Sequence, residues 1–227
     1  MHDFFEGLTA DQLIRLLPED QIIHSLNVEI LVGKLAEWLS MSETVFRDKC
    51  LEYFGRAAYY HDIGKICIPS CILNKPGALT AEEYSIIQRH PIYAQELLSF
   101  YRETDMSGIP SFLFPLTIQA AAYHHEWWNG KGYPFHLCGQ DIPYVARVTS
   151  LCDAYDAMVG NRIYRKAFTH EYACDEVRRG AGTQFEPALV EVFLAHEAEV
   201  NHLFHDLSAY QKEKAVVGKK DFIRHSK

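Results

Sequence analysis

His61-Asp62-Ile63-Gly64-Lys65 is the stretch on which the reading of this 227-residue chain turns. An imidazole and a carboxylate side by side at the end of a helix can hold two different metal ions, with the carboxylate bridging them. Around this pair stands a sparse set of the same ligand types: His24, His90, His124-His125 and Asp153. Together they offer enough nitrogen and oxygen donors for a two-metal site. Two ions ~3.5–4 Å apart clamp the attacking and leaving oxygens of a phosphate ester during in-line displacement. Imidazole and carboxylate without thiolate favour iron, manganese or a similar ion over a structural zinc. One buried histidine alone is more often a satisfied core residue than a ligand, so the weight rests on the ordered set.

Length and composition bound the rest. The chain suits one domain over 1–227, with a motif-bearing core at about 20–200 and a polar, frayed tail at 208–227. The formal charge of −8 argues against extended nucleic acid as a partner, since backbone binding leaves a basic face. An anionic small molecule is still admissible, because the field at a site is local. No apolar run approaches the ~20 residues of a membrane span, and the N-terminus lacks the pattern of a signal peptide. The expected location is the cytoplasm. The six cysteines form no CxxC pair and read as reduced, packed thiols.

Helical periodicity dominates and strand signals are scarce, so the expected class is all-α. A short amphipathic segment opens at Leu8 and ends at Pro18. From 20 to 39, apolar residues at Ile23, Leu26, Ile30, Val32, Leu35 and Leu39 have the spacing of a core-facing helix. Ser42 is placed to cap the helix leading to His61-Asp62. Thr80 and Glu83 have the spacing of a capping box, predicting a helix that carries His90. Further helices are expected at about 112–127, 142–159, 169–179 and 186–207, the last broken. Asp153 interrupts the apolar face of Val145, Val148, Leu151, Cys152 and Met158. A carboxylate on such a face needs a partner, and a metal supplies one.

The motifs around this frame resemble those of the HD-GYP family, a branch of the HD phosphohydrolase superfamily. They are His61-Asp62-Ile63-Gly64-Lys65, Ile68-Pro69, Leu73-Asn74-Lys75-Pro76-Gly77, His90-Pro91, His124-His125-Glu126-Trp127 and Asn129-Gly130-Lys131-Gly132-Tyr133-Pro134. Asp153-Ala154-Tyr155-Asp156-Ala157-Met158, Arg162-Ile163-Tyr164-Arg165 and Gly182-Thr183-Gln184-Phe185 follow in order. A lone His-Asp pair would be a weak signal; this series, from about His24 to about Phe193, is a specific one. The resemblance implies an HD-domain helical bundle with extra C-terminal helices.

It also implies a phosphodiesterase that hydrolyses cyclic di-GMP to linear pGpG, GMP or both. Cyclic GMP-AMP is the rival substrate, and a non-catalytic cyclic-dinucleotide sensor the rival class. By the same resemblance His24, His61, Asp62 and Asp153 would hold one ion, and Asp62, His90, His124 and His125 the second. Asp62 and Lys65 would be catalytic, Lys65 by contacting the scissile phosphate. Arg162 and Arg165 would hold the second phosphate, an arginine task on geometric grounds too. Tyr133 would offer guanine a flat face. Asp20 reads equally as a ligand to a third ion or as a helix cap after Pro18. Asp156, Arg147 and Tyr155 read as braces. The loop around Tyr133 admits a diguanylate-cyclase-type protein partner, and a homodimer is also admissible. The chain departs from the family at Asn27, where an arginine is common, and at Ala94, where a glycine is common. The aromatic segment 98–117 is long for the family and reads as a lid or a dimer surface.

Overall fold

The computed structural model describes residues 7–41, 50–104, 108–160 and 167–204. Thr9 starts the first helix, α1 (Ala10–Ile14), by a reciprocal cap with Gln12. After Pro18 the chain enters the longest helix, α2 (Glu19–Met41). The expected Ser42 cap lies outside the described residues. A tight turn at Leu51–Tyr53 leads into α3 (Phe54–Ala58), and a second at Ile63–Cys67 follows His61-Asp62. Then come α4 (Ser70–Leu73), α5 (Ala81–Ile87), α6 (His90–Thr104), α7 (Phe114–Tyr123) and α8 (Tyr144–Val159). The last are α9 (His170–Arg179) and α10 (Pro187–Ala195), after which the chain is helical again over 197–204. Among the described residues no strand forms; Ala181 and Phe185 make one isolated bridge. The fold is the expected all-α bundle. α2 packs on α3 and α8, α6 on α7, and α7 on α3 and α8. The shared core includes Leu31, Leu35, Phe54, Ile63, Phe114, Tyr155 and Phe193.

Three expectations need correction. First, α2 is rotated from the face read in the sequence: Leu26 and Ile30 are exposed, while His24, Asn27, Val28 and Leu31 are buried. The helix turns the side carrying His24 and Asn27 inward, and two apolar residues go to the surface as the consequence. Second, the capping box of Thr80 and Glu83 is present, but the helix it starts ends at Ile87 and a new one begins at His90. Pro91 explains the break. A proline cannot donate to the carbonyl four residues back and clashes with it, yet it is tolerated in a helix's first turn. The Ile87 carbonyl that Pro91 cannot serve instead accepts from His90 Nδ1, 2.8 Å away.

Third, the described residues of 98–117 stand away from the His/Asp cluster. α6 begins at His90 and α7 ends beside His124, and these two rings meet at the same point. The last residues of α6 and the first of α7 therefore lie at their opposite end. At 1.5 Å rise per residue, the end of α6 is about 20 Å from His90. Phe112 there rests edge-on against Tyr53, with ring centroids 5.0 Å apart.

The turn after Asp62 leaves no space for a side chain at Gly64. A Cβ there would lie 2.0 Å from the His90 carbonyl oxygen and 2.6 Å from the Ala94 amide nitrogen. This close approach docks the turn onto the start of α6 and thereby sets Asp62 against His90. Ala94, fully buried at the same contact, adds a methyl that the packing tolerates. We expect Gly64→Ala to cost about 1–3 kcal/mol by overpacking, a fall of roughly 2–4 °C in Tm per kcal/mol in a domain of this size. Thermal unfolding of the purified variant checks this; an unchanged Tm would show that the turn shifts freely.

Candidate metal centre

Five chain segments deliver the site at helix ends or helix faces. His61 and Asp62 sit on the turn that follows α3, His90 is the first residue of α6, and His124 and His125 follow the last residue of α7. His24 projects from α2 and Asp153 from α8. At helix ends, unsatisfied carbonyls are plentiful, and the histidines use them. His61 Nδ1 donates to the Ala58 carbonyl at 2.8 Å, and His124 Nδ1 faces the carbonyls of Ala120 and Ala121 at 3.1 and 3.0 Å. With His90 on Ile87, three rings are held with the proton on Nδ1 and Nε2 turned inward. His24 is oriented by a side chain instead: Asp156 Oδ2 lies 2.5 Å from its Nδ1, and Asn27 donates to the other oxygen of Asp156 at 2.8 Å. Such outer partners fix the tautomer and aim of a metal-ligating histidine.

The inward atoms fall into two groups, in each of which the ligand atoms lie within 4.8 Å of one another: Asp62, His90, His124 and His125; and His24, His61 and Asp153. Asp62 joins them. Its Oδ1 is 3.2 Å from His90 Nε2 and 3.9 Å from His124 Nε2. Its Oδ2 is 3.3 Å from His61 Nε2 and 3.7 Å from His24 Nε2. Oδ1 is buried and has no hydrogen-bond donor, while His90 and His124 turn their Nε2 atoms to each other at 3.3 Å. In the neutral rings, two nitrogen lone pairs and one carboxylate oxygen converge with no proton between them. An orphaned buried acceptor is costly, and a cation at this point satisfies all three. The donor set therefore fits a metal. Asp20 joins neither group.

Electrostatics sharpen the picture. Burial opposes charge on Asp62, but Lys65, and after it His61, override burial and hold this carboxyl well below the usual range. Asp153 is held low likewise, against burial, chiefly by its hydrogen bond to His24. Burial, with His125 next to it, drives His124 well below its ordinary value, and burial with His90 lowers His125 to about 3. Burial works against a charge on His24 too, yet Asp153 and Asp156 raise it to about 9.

Lys65 sits at the rim. Its Nζ donates to Asp62 Oδ2 at 2.5 Å and to Gln21 Oε1 at 3.0 Å. Tyr133 stacks on His125, with centroids 4.6 Å apart and planes at 23°, so one face of this phenol already braces a histidine. Its loop is anchored twice. The buried Glu126 carboxylate accepts from the Phe135 and Leu137 amides at 2.6 and 3.0 Å. Trp128 and Asn129 donate to the carbonyls of Gln184 and Thr183. Gly132 passes so close to Trp127 and His125 that a Cβ would lie 2.3 Å from one backbone and 2.4 Å from the other. Arg147 braces the same region through Glu186 at 2.6 Å. Arg162 and Arg165 lie outside the described residues. Sequence reasoning missed Gln21, Asn27 and Glu126 as partners; Gln21 and Asn27 are polar residues on the buried face of α2, and that was the available signal, whereas Glu126 lies in the loop after α7.

The family model described as HD domain matches residues 10–189. The chain belongs to the HD domain family. This HD domain is 40% identical over 178 residues to a cyclic di-GMP phosphodiesterase of Vibrio cholerae serotype O1, a match covering 77% of this chain and 35% of that protein. It is 35% identical over 173 residues to the 3'3'-cGAMP-specific phosphodiesterase 2 of the same organism, covering 76% and 31%. The chain thus spans about a third of the length of these curated relatives. The solved structure of Bd1817, an HDG"Y"P protein from Bdellovibrio bacteriovorus, shares the fold with a TM-score of 0.56 at 18% identity, over 84% of this chain and 58% of that one. The HD-GYP resemblance of the sequence holds at the level of the family and the fold. HD-domain phosphohydrolases are metal-dependent, in keeping with the His/Asp cluster. Among the described residues, no helix of this HD domain is long and apolar enough to cross a membrane.

One pH dependence follows for the metal-free protein. His24 is raised from 6.5 to about 9, so the folded state binds its proton more tightly than the unfolded chain does. The stability from this group is fully present below pH 6.5 and is lost as pH rises through about 9. Unfolding in urea with a chelator should therefore show stability falling between pH 6.5 and 9, with a shallower fall in His24→Gln. Parallel profiles for the two proteins would refute it.

Proposed function

We propose that this HD domain is a metal-dependent phosphodiesterase that opens cyclic di-GMP to linear pGpG, GMP or both. The observation that carries the reading is Asp62, one buried carboxylate whose two oxygens face two separate ligand groups. In-line displacement at phosphorus asks for that arrangement. His24, His61, Asp62 and Asp153 would hold one ion, and Asp62, His90, His124 and His125 the other; iron or manganese suits these donors. When bound, such ions neutralise phosphate oxygens and lower the pKa of water. Asp20 stands outside both groups, and the proposal stops at two ions.

The residues of the chain divide the remaining tasks. Asp156, held by Asn27, fixes His24 so that Nε2 points inward. Lys65 has three donors, two engaged on Asp62 and Gln21, which leaves one for an oxygen of the scissile phosphate. Tyr133 on His125 keeps that side of the centre covered. A cyclic dinucleotide carries two phosphates and one of them must sit away from the centre; Arg162 and Arg165 are proposed to hold it. The relative at 40% identity named as a cyclic di-GMP phosphodiesterase supports the substrate. The relative named as 3'3'-cGAMP-specific favours cyclic GMP-AMP as the second reading.

The test is incubation of the metal-loaded protein with cyclic di-GMP and cyclic GMP-AMP, with products separated by chromatography. Hydrolysis of neither would overturn the reading. Metal analysis adds a sharper check: about two ions per chain in the parent, and neither retained by Asp62→Ala, because it is the shared ligand. Full metal content in that variant would remove Asp62 from the centre. Lys65→Met should keep its ions but turn over more slowly. Losing one positioned donor to developing charge costs about 2.7–4 kcal/mol, roughly two to three decades in rate. Turnover near the parent rate would reduce Lys65 to a partner of Gln21.

A further inference from the structure

Beside the metal centre runs a cleft of about 540 Å³, lined by Gln21, Lys65, Leu73, Lys75, Tyr84 and Ile87 among others. Three features set it apart from an ordinary surface groove. It is continuous with the centre, because Lys65 and Gln21 line it and Lys65 also holds Asp62. Its walls are mostly aliphatic, from Ile72, Leu73, Leu79 and Ile87, with a few polar groups set among them. That makeup and volume are those of a small-molecule pocket. Lastly, Tyr84 lines it and is half exposed. An exposed phenol beside aliphatic walls is a stacking surface that nothing in the fold requires.

We propose that this cleft is a nucleobase subsite: it takes one purine ring of the substrate, stacked on Tyr84, while the phosphate joined to that nucleoside lies at Lys65. The substrate class follows from the proposed phosphodiesterase activity, on which this inference rests. Lys75 gives the subsite its preference. Its ammonium is placed by Glu83, 2.6 Å away, and Glu83 is itself fixed by accepting from the Thr80 amide at 2.8 Å. An ammonium has three donors, so two are left to face the cleft. Guanine presents two acceptors, O6 and N7, on one edge, whereas adenine places an amino group beside N7. A fixed donor at this position selects guanine. Tyr84 and Lys75 are specificity-determining residues in this assignment, and neither touches the reacting phosphorus.

The experiment uses the metal-loaded full chain, with Tyr84→Ala, Tyr84→Phe and Lys75→Met. Base stacking on an aromatic ring predicts that Tyr84→Ala raises KM for cyclic di-GMP about tenfold, with kcat changed less than KM, and that Tyr84→Phe restores it. Lys75→Met should narrow the ratio of kcat/KM between cyclic di-GMP and cyclic di-AMP. A KM for Tyr84→Ala equal to the parent's would overturn the subsite, and so would an unchanged base preference in Lys75→Met. If the parent opens no cyclic dinucleotide, calorimetric titration of the metal-loaded protein with GMP still decides the matter. Weaker GMP binding in Tyr84→Ala than in the parent would keep the subsite while the phosphodiesterase reading fails. Equal affinity, or no GMP binding by the parent, would sink the subsite too.

Discussion

A carboxylate buried with one oxygen lacking any donor is the constraint on which the rest of this structure depends. Asp62 is held anionic by Lys65 and His61 against its burial, and its Oδ1 faces only the lone-pair side of two imidazoles. The Asp62 charge is paired with Lys65 through Oδ2, but a buried acceptor such as Oδ1 without a donor is costly, and a cation between the imidazoles would satisfy it. The surrounding architecture serves to keep that charge in place. Gly64 lets the turn press onto α6, the break at Pro91 brings His90 to a helix start, and α7 ends where His124 can reach the same point.

Helix termini are an economical means of building such a centre. Each terminus carries carbonyls or amides that need partners, and an imidazole has one nitrogen for that purpose and one for the centre. His61, His90 and His124 follow this pattern with three different carbonyls. His24, in mid-helix, has no free carbonyl to use, since the carbonyls around it serve the helix. Asp156 takes that role, and Asn27 closes the second oxygen of the carboxylate. The departure at Asn27 noted in the sequence is thus accommodated: an amide is long enough to reach Asp156 and leaves its charge intact.

How much of this was legible in the sequence depends on whether the signal was local. The all-α class, the capping box at Thr80, and the ends of α8 and α9 came from spacing and caps, which act over a few residues. That these His and Asp residues belong together was legible because they are sparse and stand in motifs that resemble the HD-GYP family, and the structure brings them into two adjoining groups. The rotation of α2 was not, because Leu26 and Ile30 have the period of a core face, and what overrides them is the distant demand of Asp153 and Asp156 on His24. The helix break before His90 could have been read, since Pro91 forbids the continuation that the Thr80 box begins. Glu126 and Tyr84 were beyond reach for a different reason: their surroundings are set by what they face across the fold, and nothing in their own neighbourhood says so.

The acidic character of the chain then takes on a physical sense. With a formal charge of −8, the protein as a whole repels a dianionic ligand, and among the described residues Lys65 and Lys75 are the cations lining the cleft. Both are already engaged with carboxylates, Asp62 and Glu83, so neither presents a free unit charge to a phosphate. Two divalent ions would reverse the sign of the local field at the point where Asp62 and Asp153 now make it negative, since a bound cation is the largest local charge in such a site. They would also weaken the hold of Asp62 on Lys65 by competing for its Oδ2, which frees the ammonium for the substrate. The anion site would thus depend on the ions that Asp62, Asp153 and the histidines would hold. On the proposed function, charge recognition would fall to the centre and base selectivity to the cleft beside it, so few side chains would be needed to read the nucleotide.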